Sequence, residues 1–304
     1  MEEVHKNGWR EKVMELRFVK GYREDAALRE SFFSLARQVF GIQFDSWYEN
    51  GYWTGKYIPF SYCLGERVVA NVSVSRIGLL IEGEERRGIQ IGTVMVDPEF
   101  RGRGLSGKLM ERVLAEFERE YDLMYLFANH SVLDFYPKFG FTRKEEHIFS
   151  LPFKRKAGSG QLGRFLDMGD ERDRQLLFQL AKRRRPISST FAATGTEELL
   201  MFYCLNVFKD CIYYFEEEEW VGIFEEQEGE LHLYDLIGGS LPDITSILAR
   251  IAGEETRRII FHFTPEAGLP FDLSTHAGSE IMFVRAAEGL VLPEKIKHPI
   301  TSQA

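Results

Sequence analysis

At 304 residues the chain is long enough for two ordinary domains, and its 44% hydrophobic and 28% charged content is that of a water-soluble globular protein. A formal net charge of −9 argues against a nucleic-acid backbone as the main partner, because such binding rests on clustered Lys and Arg, and it is compatible with cationic substrates. The opening residues are charged throughout and no run of about 18 apolar residues occurs, so no secretory signal, membrane span or membrane partner is expected and the cytoplasm is the expected location.

In chain order the pattern predicts a strand at 16–19, a helix over 23–40, a short helix near 44–52, and strands at 60–64, 67–77 and 88–96. The last of these runs through Pro98 into Arg101-Gly-Arg-Gly-Leu-Ser-Gly107, and apolar residues at helical spacing follow: Leu105, Leu109, Val113, Leu114 and Phe117. A glycine turn opening a helix converges free backbone N–H groups at the positive end of the helix dipole, so the turn reads as a pyrophosphate cradle. Glycine suits it because a Cβ would hold a ligand off the backbone. A dinucleotide-binding crevice fits poorly. It requires Gly-x-Gly-x-x-Gly after the first strand of a βαβ unit and an acid at the end of the second strand, whereas Glu120 and Asp122 precede the next apolar run. A strand at 123–128, a short helix carrying Phe135-Tyr136 and ended by Gly140, and a closing strand at 141–151 complete the first half.

The polar, glycine-rich stretch 154–163 reads as a linker between units 1–153 and 164–304. Beyond it the order begins again: a strand at 164–168, a helix over 171–182, a helix near 196–208, strands at 211–215, 220–225 and 230–236, a helix over 242–252 and a strand at 258–263. The turn at 237–242, Ile-Gly-Gly-Ser-Leu-Pro, lacks an arginine and the Gly-x-Gly spacing, and Thr264-Pro-Glu-Ala-Gly-Leu-Pro-Phe replaces a Phe-Tyr…Gly-Phe counterpart.

Cys63, Cys204 and Cys211 have neither disulfide-scaffold nor metal-ligand spacing and read as buried thiols, and the histidines show no metal-ligand grouping, so no metal is predicted. The acidic runs 82–85 and 216–219 read as solvated hairpin tips. Lys182-Arg-Arg-Arg185 reads as a solvated helix end favoured by the dipole. The aromatics Phe44, Trp47, Tyr48, Tyr52, Trp53 and Tyr57 read mostly as core, with one or two facing a cleft where a cationic amine would meet a ring face.

The segment 89–107 with its Arg-x-x-Gly-x-Gly turn, followed by Asn129 to Phe141 with Phe135-Tyr136 and Gly140-Phe141, resembles motifs A and B of the GNAT acetyltransferase superfamily. Ser106 departs from the small Gly or Ala of that pattern, with Gly107 following at once. The resemblance, with the repeated element order, implies an α/β fold: two GNAT-like mixed α/β domains in tandem, the second degenerate, similar to the Eis-type acetyltransferases. It implies an acetyl-CoA-dependent N-acetyltransferase acting directly, in a ternary complex, on a primary amine of a small molecule or of a cationic peptide side chain. A non-catalytic acyl-CoA-binding or regulatory module is the alternative. The implied cosubstrate is acetyl-CoA, with its pantetheine arm along the backbone of Val94, Met95 and Val96 and near Asn129, and its pyrophosphate on Arg101, Gly102, Arg103, Gly104, Leu105, Ser106 and Gly107. The N–H of Met95 or Val96 is the implied oxyanion donor. Tyr136 is the implied catalytic acid: a phenol with an ordinary pKa of about 10 stays protonated at neutral pH and can donate as charge builds on sulfur. Gln90 occupies the position where the histone-acetylating branch has a glutamate base and cannot accept a proton. Glu99, His130 and a terminal carboxylate at Ala304 remain as candidates, the last because Eis-type enzymes bring their C-terminus into the site.

Overall fold

The computed structural model describes residues 15–154, 163–276 and 278–304. Most of the predicted linker, 154–163, therefore lies outside the described residues. The first half runs β1 (Arg17–Lys20), α1 (Ala26–Phe40), α2 (Asp45–Glu49), β2 (Tyr57–Leu64), β3 (Arg67–Ile81), β4 (Glu84–Val96), α3 (Leu105–Glu116), β5 (Leu123–Asn129), β6 (Thr142–Lys144) and β7 (His147–Pro152). The second half runs β8 (Arg164–Phe165), α4 (Glu171–Lys182), β9 (Phe191–Thr194), α5 (Glu197–Asn206), β10 (Ile212–Phe215), β11 (Trp220–Gln227), β12 (Glu230–Gly238), α6 (Ile244–Ile251), β13 (Arg258–Phe261), β14 (Asp272–Thr275) and β15 (Glu280–Ala286).

Local chemistry accounts for the ends of these elements. Asp25 caps α1 by accepting from Leu28 N, and Gly41 ends it in the left-handed region at φ 72°. Asp170 and Asp243 cap α4 and α6 in the same way. The hairpin tip between β3 and β4 has Glu82 and Gly83 at φ 50° and 78°, and the second acidic run is a 3-10 turn between β10 and β11. The predicted helix around Tyr136 is instead two 3-10 turns, His130–Val132 and Tyr136–Phe139, because Pro137 leaves the short segment without one backbone donor.

The two sheets share one plan. The first has the order β1-β2-β3-β4-β5-β15-β6 with β9 on the far part of β3, and the second has β8-β10-β11-β12-β13-β7-β14. The halves thus exchange strands: the second lends β9 and β15 to the first sheet, and the first lends β7 to the second. β15 pairs antiparallel with β5 from Glu280↔Asn129 to Ala286↔Leu123, and β7 pairs antiparallel with β13 from Phe149↔Phe261 to Pro152↔Arg258. The single closing strand predicted at 141–151 breaks at Glu145-Glu146, and its two pieces enter different sheets.

The cores are shared as well. Phe32, Phe33, Trp47 and Trp53 of the first half pack in one buried cluster with Leu177, Leu200, Met201 and Ile237 of the second. Trp47 Nε1 donates to Glu198 O at 2.6 Å and Lys56 Nζ reaches Glu197 and Glu198 at 2.8 and 2.9 Å. All three cysteines are buried and unbridged. Arg184 departs from the predicted solvated helix end: its guanidinium donates to the fully buried Asp235 at 2.9 Å, because a buried carboxylate needs a charged partner to offset its lost hydration. Among the described residues no helix is long and apolar enough to cross a membrane.

Candidate active site

The site begins where β4 and β5 part. They pair in parallel only from Gly88↔Leu123 to Ile91↔Leu126, after which no ladder joins them. The cause lies on the other edge of β4: Asn71 faces Met95 and Ser73 faces Gly92, so Thr93 and Val94 stand against Val72 alone. This bulge bends the strand away. Thr93 takes φ 42°, a conformation that costs a β-branched residue roughly 1–3 kcal/mol and persists only where its surroundings impose it. Here they do. Tyr57 Oη lies 2.7 Å from Thr93 Oγ1, and Asn71 Nδ2 donates to Thr93 O at 2.9 Å. Asn71 is itself held by Ser61 at 2.8 Å, and Ser61 by Tyr22 at 2.6 Å.

At the carboxyl end of β4, Gly102 and Gly104 take φ 76° and 71°, turning the chain into α3. Gly104 is the N-cap and brings no side-chain acceptor, so the first amides of α3 stay free for an external anion. Arg103 donates to Glu99 O at 3.0 Å and lies over the Phe100 ring at 4.7 Å, and Arg101 Nε lies 3.4 Å from Val96 O. The opening between the strands and this turn form one cavity of about 810 Å³, within the range of small-molecule and cofactor sites. The structure brings Val94, Met95, Val96, Arg101, Gly102, Arg103, Gly104, Leu105, Ser106, Gly107, Asn129 and Tyr136 together along it.

Tyr136 has a double setting. Its ring is 4% exposed and packs with Phe135, Phe283 and Phe141 at centroid distances of 5.1, 5.8 and 6.4 Å, while the residue borders the cavity. Burial, with a smaller push from the Glu280 carboxylate, raises its phenol to about 12. Asn129 spends its carbonyl oxygen on the following turn, accepting from Ser131 N at 3.0 Å and Ser131 Oγ at 2.5 Å.

Two of the base candidates lie off the cavity. Glu99 is exposed and pairs with Arg67 at 2.8 Å, and His130 Nε2 lies 3.2 Å from Gly278 O. Gln90 is fully buried beneath the site and donates to Ser302 O at 3.3 Å. Ala304 does line the cavity, so close to Gly92 that a Cβ there would come within 2.6 Å of its carbonyl carbon. Of the aromatic group, Phe44, Trp47 and Tyr57 reach the lining.

Glu280, Phe202, Tyr203, Leu199 and Gln303 also line the cavity, and sequence reasoning missed them. They belong to α5, β15 and the last residues of the chain, all of which reach the cavity from the second half. For Glu280 the available signal was the alternating apolar run 280–286, a strand by composition. No three His, Cys, Asp or Glu side chains gather as a metal site among the described residues.

A family model described as an acetyltransferase (GNAT) domain matches residues 25–143. The chain is 41% identical over 59 residues to GCN5-related N-acetyltransferase 2, chloroplastic, of Arabidopsis thaliana, a match that takes in 19% of this chain and 23% of that protein's length. The fold is similar to a probable N-acyltransferase from Enterococcus faecalis V583 (TM-score 0.63, 16% identity, 90% of this chain and 73% of that one). It is also similar to Eis1 from Mycobacterium abscessus (TM-score 0.56, 14% identity, 90% and 73%).

Proposed function

From the match of residues 25–143 to the GNAT acetyltransferase model, we propose that the protein moves an acetyl group from acetyl-CoA to a primary amine of a small molecule or a cationic peptide side chain, by direct transfer in a ternary complex. One observation carries the reading: an uncapped helix N-terminus with two left-handed glycines opens onto the same cavity as a phenol at the parting of two strands. In this reading Arg101 to Gly107 bind the pyrophosphate through backbone amides and the dipole of α3. The arm runs along Val94, Met95 and Val96 toward Asn129, and the N–H of Met95 or Val96 meets the developing oxyanion. Tyr136 gives its proton to the departing thiolate, a role that suits a phenol held protonated across the physiological range.

The catalytic unit is residues 1–153 and the unit 164–304 is its degenerate partner. The 237–242 turn without an arginine supports that division, and so does the occupation of the second sheet's own opening. β12 and β13 pair only as far as Leu233↔Phe261, and there Ile300 N donates to His262 O at 3.2 Å while Thr301 Oγ1 donates to Asp235 at 2.5 Å. A cytoplasmic location is part of the reading, supported by three buried, unbridged thiols.

Thiol release from acetyl-CoA across a panel of amines, beside calorimetry of acetyl-CoA binding, tests the proposal. Turnover with any amine supports it. Binding without turnover would favour the acyl-CoA-binding module, the reading that Gln90, engaged with Ser302 and unable to take a proton, speaks for. Absence of binding would overturn both.

A further inference from the structure

We infer that Glu280, on a strand lent by the second half, is the general base that deprotonates the acceptor amine in the cavity that Tyr136 also lines. The inference rests on the acetyltransferase reading and adds a catalytic residue to it.

The placement follows from strand alternation. In β15, Ile281 and Phe283 pack into the cluster that holds Tyr136 and α3, whereas Met282 and Val284 face the opposite cluster, beside Phe127 and Ala304. Glu280 shares the parity of Met282 and Val284, so its side chain leaves the sheet on the face away from α3. It opens the pairing with β5 opposite Asn129, at the end of β5 where the strands have parted, and it lines the cavity. His130 Nε2, 3.2 Å from Gly278 O, ties the preceding loop to the turn after β5.

The carboxylate is unclaimed: Glu280 has no hydrogen-bonded or ion-paired partner among the described residues, whereas Glu99 is committed to Arg67. Its titratable neighbours are Lys297 and Glu146, themselves paired at 3.1 Å, with Tyr136 and Tyr203 across the cavity. Glu280 is solvent-accessible, and partial desolvation by the surrounding protein raises its carboxyl above the ordinary range, opposed by Lys297 and aided by Glu146. A carboxylate shifted upward is a stronger base.

The step balances. The Glu280 carboxylate takes a proton from the acceptor ammonium, R–NH3+, and the freed lone pair forms the C–N bond at the thioester carbonyl, placing charge on its oxygen. Collapse of that intermediate breaks the C–S bond, the electron pair goes to sulfur, and the Tyr136 hydroxyl proton follows it. The second nitrogen proton restores the phenol, and Glu280 releases its proton to solvent. Acid and base therefore act from opposite faces of one sheet.

The test is the full-length Glu280→Gln and Glu280→Asp variants, with phenylethylamine, spermidine and lysine ethyl ester as acceptors and calorimetry of acetyl-CoA as the control. At pH 7 the Gln variant is expected to lose about 10²-fold in kcat/KM, the lower end of general-base contributions, with acetyl-CoA affinity unchanged and activity partly restored in the Asp variant. The parent profile should level off above the carboxyl pKa, whereas the Gln variant should keep rising with pH toward the pKa of the amine, its deficit shrinking on the way. A Gln variant within about threefold of the parent, or with the parent's pH profile, overturns the assignment while leaving acetyl transfer intact. A parent that binds acetyl-CoA but acetylates none of the three amines, or does not bind it, overturns both.

Discussion

Replacing Tyr136 by Phe removes one oxygen and little else. The ring contacts with Phe135, Phe283 and Phe141 survive, and the hydroxyl gives up no hydrogen bond to any described residue, so stability should change by less than about 0.5 kcal/mol. The rate should change far more. With the phenol pushed up to about 12, only about one molecule in 10⁴ is ionised at pH 8, so the acid is fully loaded and the parent's rate should show no limb from Tyr136 in the physiological range. Loss of a general acid typically lowers turnover about 10²- to 10⁴-fold, or roughly 2.7–5.4 kcal/mol in the barrier at about 1.36 kcal/mol per decade. Steady-state thiol release with the best acceptor, alongside direct measurement of acetyl-CoA affinity, separates this from a binding defect. A turnover number within about threefold of the parent, at unchanged affinity, would refute the general-acid role and leave Tyr136 as a packing residue.

Gly104→Asp should weaken acetyl-CoA binding by at least about 100-fold in calorimetry, since a carboxylate would stand at the free amides of α3, while its left-handed φ of 71° adds a folding cost of about 1–2 kcal/mol; unchanged affinity in a folded variant would remove the cradle assignment. A chain ending at Ser302, without the cavity-lining Gln303 and Ala304, should lose at least about tenfold in kcat/KM for the amine while keeping its acetyl-CoA affinity, and equal kinetics would show that these residues leave the acceptor untouched. Burial pushes His298 down to about 3 from an ordinary 6.5, so below pH 6.5 the unfolded chain binds the extra proton and stability should fall by about 1.4 kcal/mol per pH unit from this residue until pH nears 3. Urea midpoints between pH 7.5 and 5 check it: His298→Leu should flatten the slope, and an unchanged slope would be the contrary result.

Much of the candidate site was legible because its pattern is local. A glycine turn entering an amphipathic helix needs no distant information, so the run from Arg101 to Gly107 could be read from its own residues, and α4 could be bounded at Glu171 and Lys182 by its cap and periodicity. What stayed hidden depends on pairings between remote parts of the chain. A run such as Glu280–Ala286 states that it is a strand and not which sheet it joins. The stretch 141–151 reads as one strand because nothing local reports that Glu146 will turn inward to accept from Lys297 Nζ and His298 N at 3.1 and 2.8 Å. Arg184 looked solvated for the same reason, since Asp235 lies far away in sequence.

That same C-terminal segment accounts for a structural difference between the two halves. His298 lies 2.8 Å from Tyr125 Oη, Thr301 donates to Asp235, Ser302 Oγ lies 2.9 Å from Thr196 Oγ1, and Gln90 donates to Ser302 O. These anchors alternate between the two sheets and α5, so the segment fills the opening of the second sheet while its last residues reach the cavity of the first. Gln90, read in sequence as the place of a missing base, is therefore a tether: a neutral amide can donate to a backbone carbonyl in a fully buried site, whereas a carboxylate there would face that carbonyl as acceptor against acceptor and lose its hydration. The residue that makes a base at that position impossible also holds in place the segment ending at Ala304. With β15 carrying Glu280 to the same cavity, the second half supplies part of the lining of a cavity whose glycine turn belongs to the first.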